Sequence, residues 1–113
     1  MEAAARPKSE FWVKALIRRC ETAGAGAMVV RRGDATSGIV LVKVSRLDGS
    51  ATVYAPARDG DGELFWMARP AGEAAPETDA DAYIEKQRQR DPDIWVVEIE
   101  DREGRHFLTE PVR

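Results

Sequence analysis

The sequence feature that most limits the fold is an alternation of side chains along residues 39–46. One side of this run carries Val40, Val42 and Val44, and the other carries Ile39, Leu41, Lys43 and Ser45. Because successive side chains of a β-strand point to opposite faces, and valine favours strands, the run predicts a strand. Asp48 and Gly49 then predict a hairpin turn into a second strand at residues 51–57.

A helical period precedes these strands. Trp12, Leu16 and Cys20 recur at intervals of four residues, which places them on one side of an amphipathic helix. Ser9 stands at its start and is predicted to act as the N-cap. Gly24 is predicted to end the helix, since glycine is common just after a helix C-terminus.

The rest of the chain predicts four more strands and a second helix. The strands are expected at residues 27–32, 63–69, 94–100 and 106–109, and the helix at residues 78–90. Residues 1–8 are expected to be frayed and residues 70–77 to form an exposed loop. Because the connections between consecutive strands are short, they favour antiparallel pairing. The order α-β-β-β-β-α-β-β therefore predicts an α+β fold with a mostly antiparallel meander sheet of five to six strands.

The length of the chain limits the number of domains, and its charge distribution limits the kinds of partner. A chain of 113 residues is expected to form one domain over residues 1–113. Residues 1–58 hold ten Lys or Arg against five Asp or Glu, and residues 59–113 hold seven against fifteen. Two halves of opposite charge indicate either that they pack together and neutralise each other, or that a basic surface faces an anionic partner. The first interpretation is preferred, because both halves must share a core.

The single cysteine and the short apolar runs bear on location. With only Cys20, the chain has no intrachain disulfide, and a cytoplasmic location is expected. The longest nearly apolar run, residues 25–30, is far below the roughly 20 residues of a membrane span, so no membrane partner is expected. Cys20 lies on the apolar side of the predicted helix and is expected to be buried and inert. No catalytic residue and no cofactor are predicted.

Basic residues on neighbouring predicted strands form one candidate site. They are Arg31, Arg32, Lys43, Arg46 and Arg58. With Tyr54 and Trp66 nearby, such a sheet could bind an anion or nucleic acid through charge and stacking. The isoelectric point of about 5.2 argues against a dedicated nucleic-acid binder, and the two aromatic residues are equally suited to the core.

Acidic residues and the only histidine form a second candidate site at the predicted C-terminal hairpin. Glu98 and Glu100 share one side of a strand, and His106 follows the turn. This combination could bind a divalent metal and support a small metal-assisted hydrolase. The alternative, which is preferred, is that these residues form the solvent face of an edge hairpin.

Five segments carry a resemblance to a known family. They read KSEFWVKALIRR at residues 8–19, VRRGD at 30–34, VKV at 42–44, YAPAR at 54–58 and DPDIWVVEIED at 91–101. The chain resembles a family of small proteins, found mainly in alphaproteobacteria, that is known as domain of unknown function 1491. The resemblance covers nearly the whole chain and implies a free-standing bacterial cytosolic domain. Because the family has no assigned activity, it implies no catalytic or binding residue.

The interpretation favoured by these features is a non-enzymatic binding or adaptor domain whose partner is another protein or a second copy of the chain. Trp66, Trp95 and a terminal strand would supply an apolar face and a sheet edge for such a partner. The alternatives are anion or nucleic-acid binding by the basic residues and metal-assisted hydrolysis at the acidic hairpin.

Overall fold

Two helices and six strands make up the fold in the computed structural model, which describes residues 8–69 and 74–113. In chain order they are α1 (Ser9–Thr22), β1 (Gly26–Arg31), β2 (Val40–Ser45), β3 (Ser50–Arg58), β4 (Leu64–Arg69), β5 (Ala75–Pro76), α2 (Glu77–Arg90) and β6 (Trp95–Glu100). The predicted α+β class, with two helices and up to six strands, is confirmed.

The strands form one sheet in the order β1-β6-β2-β3-β4, with β5 paired to β3. The predicted meander is present in β2, β3 and β4, which are antiparallel neighbours. However, β6 lies between β1 and β2 and runs parallel to β2, with Val40 opposite Trp95. The sheet is therefore mixed. The meander prediction applied the rule for short connections, whereas β3 to α2 together form a crossover long enough for parallel pairing.

The two helices cover opposite faces of the sheet. On one face, Leu16 and Cys20 of α1 pack into a buried cluster with Val42 of β2. On the other face, Ala80 of α2 packs into a second cluster with Leu41. The predicted alternation along β2 is therefore confirmed, and all six of its residues are buried because both faces are covered.

The start of α1 differs from the prediction for Ser9. Ser9 is the first helical residue, Lys8 is the N-cap, and no side chain of a described residue caps the helix. The Ser9 hydroxyl instead donates to the carbonyl of Gly38 at 2.6 Å, and its backbone N–H donates to the carbonyl of Thr36. These bonds attach the start of α1 to the loop before β2, which replaces the predicted local cap.

The predicted strand at residues 106–109 is an irregular segment in the structure. Phe107 has a φ of 59°, which a strand does not accommodate, and its carbonyl accepts two hydrogen bonds from the Arg19 guanidinium, at 3.0 and 3.1 Å. These contacts hold the segment against α1 instead of beside β6. We refer to residues 105–113 as the C-terminal segment.

The two regions predicted to be irregular lie partly outside the described residues. Of the expected frayed start, only Lys8 is described, and of the expected loop at 70–77 only residues 74–77 are described. Within that loop, Ala75–Pro76 forms β5 and Glu77 begins α2. The helix therefore starts one residue earlier than predicted, directly after Pro76.

Candidate functional site

The strand β1 is an edge of the sheet with an exposed apolar surface. Its residues Met28, Val29 and Val30 are 47%, 41% and 57% exposed. Among the described residues, β1 pairs only with β6, so one side of its backbone faces away from the sheet. An edge strand with apolar side chains can add a strand from another chain. We refer to Met28, Val29 and Val30 as the β1 patch.

The opposite edge of the sheet, β4, is bound at Trp66 by the C-terminal segment. The Trp66 N–H donates to the carbonyl of Pro111 at 2.8 Å, and the Arg113 N–H donates to the carbonyl of Trp66 at 2.8 Å. Val112 forms a parallel bridge to Trp66, and the Trp66 indole donates to Glu110 at 2.9 Å. The chain therefore covers the middle of the β4 edge with its own backbone and leaves the β1 edge without such a cover among the described residues.

A β-bulge interrupts the pairing of β1 with β6. Val29 lies opposite Val97 and Arg31 lies opposite Val96, so Val30 is an extra residue. A bulge bends the edge strand and changes the direction of the side chains beside it. The bulge leaves Val30 the most exposed residue of the β1 patch and limits the regular part of the edge to the residues before it.

The five predicted basic residues do not form one surface. Arg31 and Lys43 lie on the α2 face of the sheet, since their strand partners are Val96 and Glu98. Arg32 lies over the Trp95 ring and pairs with Glu10 of α1, on the other face. The remaining two residues are also apart: Arg46 packs over Gly104, and Arg58 donates to the carbonyl of Gly62 at 2.7 Å. An extended anion would therefore not meet these side chains together.

Lys43 is buried and surrounded by carboxylates. Its ammonium lies 2.7 Å from both Glu77 and Asp81 of α2 and 3.5 Å from Glu98 of β6. Burial lowers the pKa of Lys43, but the hydrogen bonds to Asp81 and Glu77 and the charge of Glu98 outweigh it and raise the pKa above its ordinary value. This lysine is a structural contact between the sheet and α2 and is not available to an external anion.

The predicted metal residues lie on different faces of the sheet. Glu98 lies beside Lys43 on the α2 face, and Glu100 is beside Gly26 of β1. His106 packs edge-on against Tyr54 in the α1 cluster, with ring centroids 4.9 Å apart. Within the described residues, no group of three or more His, Cys, Asp or Glu side chains could hold a metal ion. The sheet separates His106 from the two carboxylates.

The buried thiol of Cys20 agrees with its predicted place in the core. Cys20 is fully buried among the residues that α1 presents to the sheet, and burial raises its pKa.

No helix of the described residues is long and apolar enough to cross a membrane.

A broad groove lies at one end of the α1 face. It has a volume of about 940 Å³ and runs between the start of α1, the loop before β2 and the C-terminal segment. Trp12 lines it and stacks on the buried Trp66, with ring centroids 5.4 Å apart. Its polar groups are largely engaged in contacts within the chain, since Ser9 donates to Gly38 and Arg58 donates to Gly62.

The β1 patch was not among the residues that the sequence pattern singled out. Met28, Val29 and Val30 read as an apolar strand, and the prediction placed β1 beside β2. The signal that could have identified an edge is the pair Arg31 and Arg32, because charges often mark the end of an edge strand. The position of β6 in the sheet decides whether β1 is an edge strand, and the local sequence of β1 does not indicate that position.

Comparison with known proteins places this fold in a family. The sequence model of the family described as "Protein of unknown function (DUF1491)" matches residues 8–109. A crystal structure of a DUF1491 family protein from Caulobacter crescentus CB15 is 55% identical, with a TM-score of 0.88, over 96% of this chain and 100% of that chain. No curated protein matches the chain.

Two solution structures are also similar. An NMR structure of a DUF1491 family protein from Caulobacter crescentus CB15 is 55% identical, with a TM-score of 0.84, over 97% of this chain and 99% of that chain. The solution structure of protein Atu0922 from A. tumefaciens is 34% identical, with a TM-score of 0.79, over 96% of this chain and 98% of that chain. The similarity extends over almost the full length of each relative.

Proposed function

The chain belongs to the DUF1491 family, whose function is unknown, and from its own surface we propose that it is a non-enzymatic protein-interaction domain. The observation that carries the proposal is the difference between the two sheet edges. The C-terminal segment covers the middle of β4 at Trp66, whereas β1 presents Met28, Val29 and Val30 to solvent. Edge strands without a cover are natural sites for adding a strand of another chain.

The partner that the charges favour is a second copy of the chain. Two β1 strands that pair antiparallel bring the end with Arg31 and Arg32 of one copy to the Gly26 end of the other. Gly26 has no side chain, and its neighbour on β6 is Glu100. Opposite charges would therefore meet at both ends of the paired strands. This supports antiparallel pairing of the two β1 strands over parallel pairing.

The size of the edge sets the strength of the expected association. β1 has six residues, and the bulge at Val30 leaves a regular ladder only over Gly26 to Val29. An interface built on so short a strand is small compared with most specific interfaces. Interfaces of this small size are typical of weak or transient complexes. We therefore expect a dimer that forms and dissociates with concentration.

Sedimentation equilibrium of the full chain tests the proposal. As the protein concentration increases from about 10 µM to about 1 mM, the weight-average molar mass is expected to rise from that of a monomer toward that of a dimer, since weakly associating proteins dimerise in this range. Met28→Lys and Val30→Lys should each weaken the association at least tenfold, because they place a charge on the pairing edge. Ile39→Lys is the matched control, since Ile39 is 48% exposed but lies outside β1.

A monomer throughout this range would overturn self-association, and equal loss in the Ile39→Lys control would overturn the role of the β1 edge. Binding of a different protein that depends on Met28 and Val30 would instead support the interaction domain but identify another partner. Cross-linking in cells of the wild type and of Met28→Lys provides that comparison.

A cytoplasmic location is part of the same proposal. It is supported by Cys20, the only cysteine, which is buried as a free thiol, as in proteins that do not rely on disulfides. Fractionation of the source bacterium with an antibody to the chain tests it. Recovery in the periplasmic or membrane fraction would contradict it.

A further inference from the structure

The groove at one end of the α1 face has an excess of negative charge, and we propose that it binds an arginine-bearing segment of another protein. The charged residues that line it are Arg58, Glu63 and Glu110. Among the described residues, neither carboxylate has an ion-pair partner. The Arg58 guanidinium donates to the carbonyl of Gly62. The lining residues come from outside β1, so this site goes beyond strand pairing at that edge.

The chain binds three of its own arginines by the same combination of an aromatic ring and a carboxylate. The three sets are Arg32 with Trp95 and Glu10, Arg105 with Phe107 and Asp101, and Arg113 with Phe65 and Asp59. Each guanidinium carbon lies 4.3–5.2 Å from the centre of its ring. The face of an aromatic ring attracts a guanidinium, and a carboxylate beside it adds a charge-assisted hydrogen bond. A ring beside a carboxylate therefore makes a site for an arginine.

Trp12 and Glu110 form this combination without an arginine. Trp12 stacks on Trp66, with ring centroids 5.4 Å apart, and Glu110 accepts the Trp66 indole N–H at 2.9 Å. The Glu110 carboxylate therefore lies beside the stacked rings, and both Trp12 and Glu110 line the groove. No cation of the described residues lies over Trp12. Since both oxygens of a carboxylate accept hydrogen bonds, Glu110 can also accept from a guanidinium.

The edge of β4 offers a contact for the backbone of such a segment. Trp66 directs its N–H and carbonyl to the C-terminal segment, and Leu64, two residues earlier on the strand, directs its own the same way. Pro111 would have to donate to the Leu64 carbonyl to continue the parallel bridge, but proline has no N–H. Among the described residues, the backbone N–H and carbonyl of Leu64 have no backbone partner. Leu64 lines the groove, so a peptide can bond to it there.

The size and the walls of the groove favour a peptide over a free guanidinium. Its volume of about 940 Å³ is larger than one arginine side chain needs. Ile39, Pro56 and Pro111 are among its apolar walls, and Ile39 is half exposed. Such walls suit the methylene groups of an arginine and apolar side chains beside it. An acidic segment would be repelled by the two carboxylates of the groove.

NMR titration of the full chain with a blocked pentapeptide that has a central arginine between two leucines tests the inference. We expect saturable shifts of the Trp12 indole N–H and of the Leu64 backbone amide. The same peptide with citrulline keeps the shape of the side chain without its charge, and it should bind at least tenfold more weakly. The arginine peptide should also bind more weakly as the salt concentration rises. N-acetylarginine methylamide should bind more weakly than the peptide, and equal binding would overturn the peptide segment.

Variants localise the response. Glu110→Gln keeps an acceptor for the Trp66 indole but removes the charge, so it should weaken the arginine peptide at least tenfold and leave the citrulline peptide unchanged. That difference separates a loss of charge from damage to the fold. Trp12→Leu should weaken both peptides, and Glu110→Gln alone decides the test if Trp12→Leu does not fold. Glu103→Gln is the control, since Glu103 is exposed and lies outside the groove.

The inference is overturned if the arginine peptide gives no saturable shift, if citrulline binds equally well, or if Glu103→Gln has the effect of Glu110→Gln. Binding that appears only in Arg6→Ala would identify the chain's own N-terminal residues as the occupant and overturn an external partner. Loss of self-association in Glu110→Gln, measured by sedimentation, would identify a second copy instead and overturn a different protein as partner. Met28→Lys should bind the peptide as the wild type does, so failure at the groove and failure at the β1 edge are distinguishable.

Discussion

Lys43 of β2 and Asp81 of α2 are joined by a hydrogen bond of 2.7 Å between the ammonium and the carboxylate. This contact crosses from the centre of the sheet to a helix that has Ala80 as its only fully buried residue. Tyr83 and Ile84 of α2 also pack on the apolar cluster around Leu41, and we infer that the charged contacts of Lys43 add to this apolar attachment of the helix.

Replacing Lys43 with methionine should destabilise the protein. Glu98, which is largely shielded from water, would lose its cation, while Glu77 and Asp81 are more exposed and can be hydrated. We expect a loss of about 1–3 kcal/mol in the free energy of unfolding, measured by urea denaturation. Lys86→Met, at an exposed position of α2, should change it little. Equal stability of Lys43→Met and the wild type would show that α2 does not depend on this lysine.

Gly38 is expected to tolerate no side chain. A Cβ there would lie 2.5 Å from the carbonyl oxygen of Asp93 and 2.8 Å from Cδ1 of Trp95. Gly38→Ala should therefore cost about 1–3 kcal/mol of stability, as overpacking does in cores. Gly60 has open space around the corresponding position, so Gly60→Ala is the control. Thermal unfolding of both variants measures this cost. Similar melting temperatures for Gly38→Ala and Gly60→Ala would contradict the predicted overpacking at Gly38.

His106 should make the stability depend on pH below neutrality. Burial lowers the pKa of His106 from its ordinary value of 6.5, and its Nδ1 accepts the Leu108 N–H at 3.0 Å, which requires an unprotonated nitrogen. The unfolded chain therefore binds a proton at higher pH than the folded one. Stability should fall as pH decreases from about 7 to about 5, by at most about 1.4 kcal/mol per pH unit.

The matched variant for this pH dependence is His106→Gln, which does not titrate in that range. Its stability should stay flat between about pH 7 and about pH 5, because carboxylates with lowered pKa values, such as Asp101, lose their contribution only at lower pH. Urea denaturation across this range provides the comparison. An unchanged slope in the variant would assign the pH dependence to other groups.

Removing residues 111–113 should uncover the edge of β4. Trp66 would lose the backbone bonds to Pro111 and Arg113 and expose its own N–H and carbonyl. We expect the shortened chain to self-associate more strongly, and to do so even when Met28→Lys blocks β1. Sedimentation of the shortened Met28→Lys chain tests this, with the full-length Met28→Lys chain as control. A monomer in both would show that the C-terminal segment does not protect β4.

The features that followed from local sequence were predicted well. The helical spacing of Leu16 and Cys20 gave α1, and the alternation around Val42 gave β2 with its two faces. Asp48 and Gly49 gave the hairpin, in which Gly49 has a φ of 90° and the Arg46 N–H donates to the Ser50 carbonyl. In each of these cases, neighbouring residues determine the structure.

The features that depend on distant residues were not predicted. The parallel pairing of Val40 with Trp95 joins residues far apart in the chain, and nothing in either strand specifies its partner. Likewise, residues 106–109 have the composition of a strand. The Arg19 guanidinium, however, donates to the Phe107 carbonyl and holds the segment against α1 in an irregular conformation. The candidate site depends on these long-range contacts, since the insertion of β6 decides which strand is an edge.

The central position of β6 has a consequence for synthesis on the ribosome. Within the part of the chain that the structure describes, β1 joins the sheet only through β6, so Met28 and its neighbours have no described strand to pair with until residues near Trp95 have emerged. During translation, the apolar β1 strand is therefore exposed for much of the time that the chain is being made. We expect a nascent chain stalled before β6 to be a better chaperone substrate than one stalled after it.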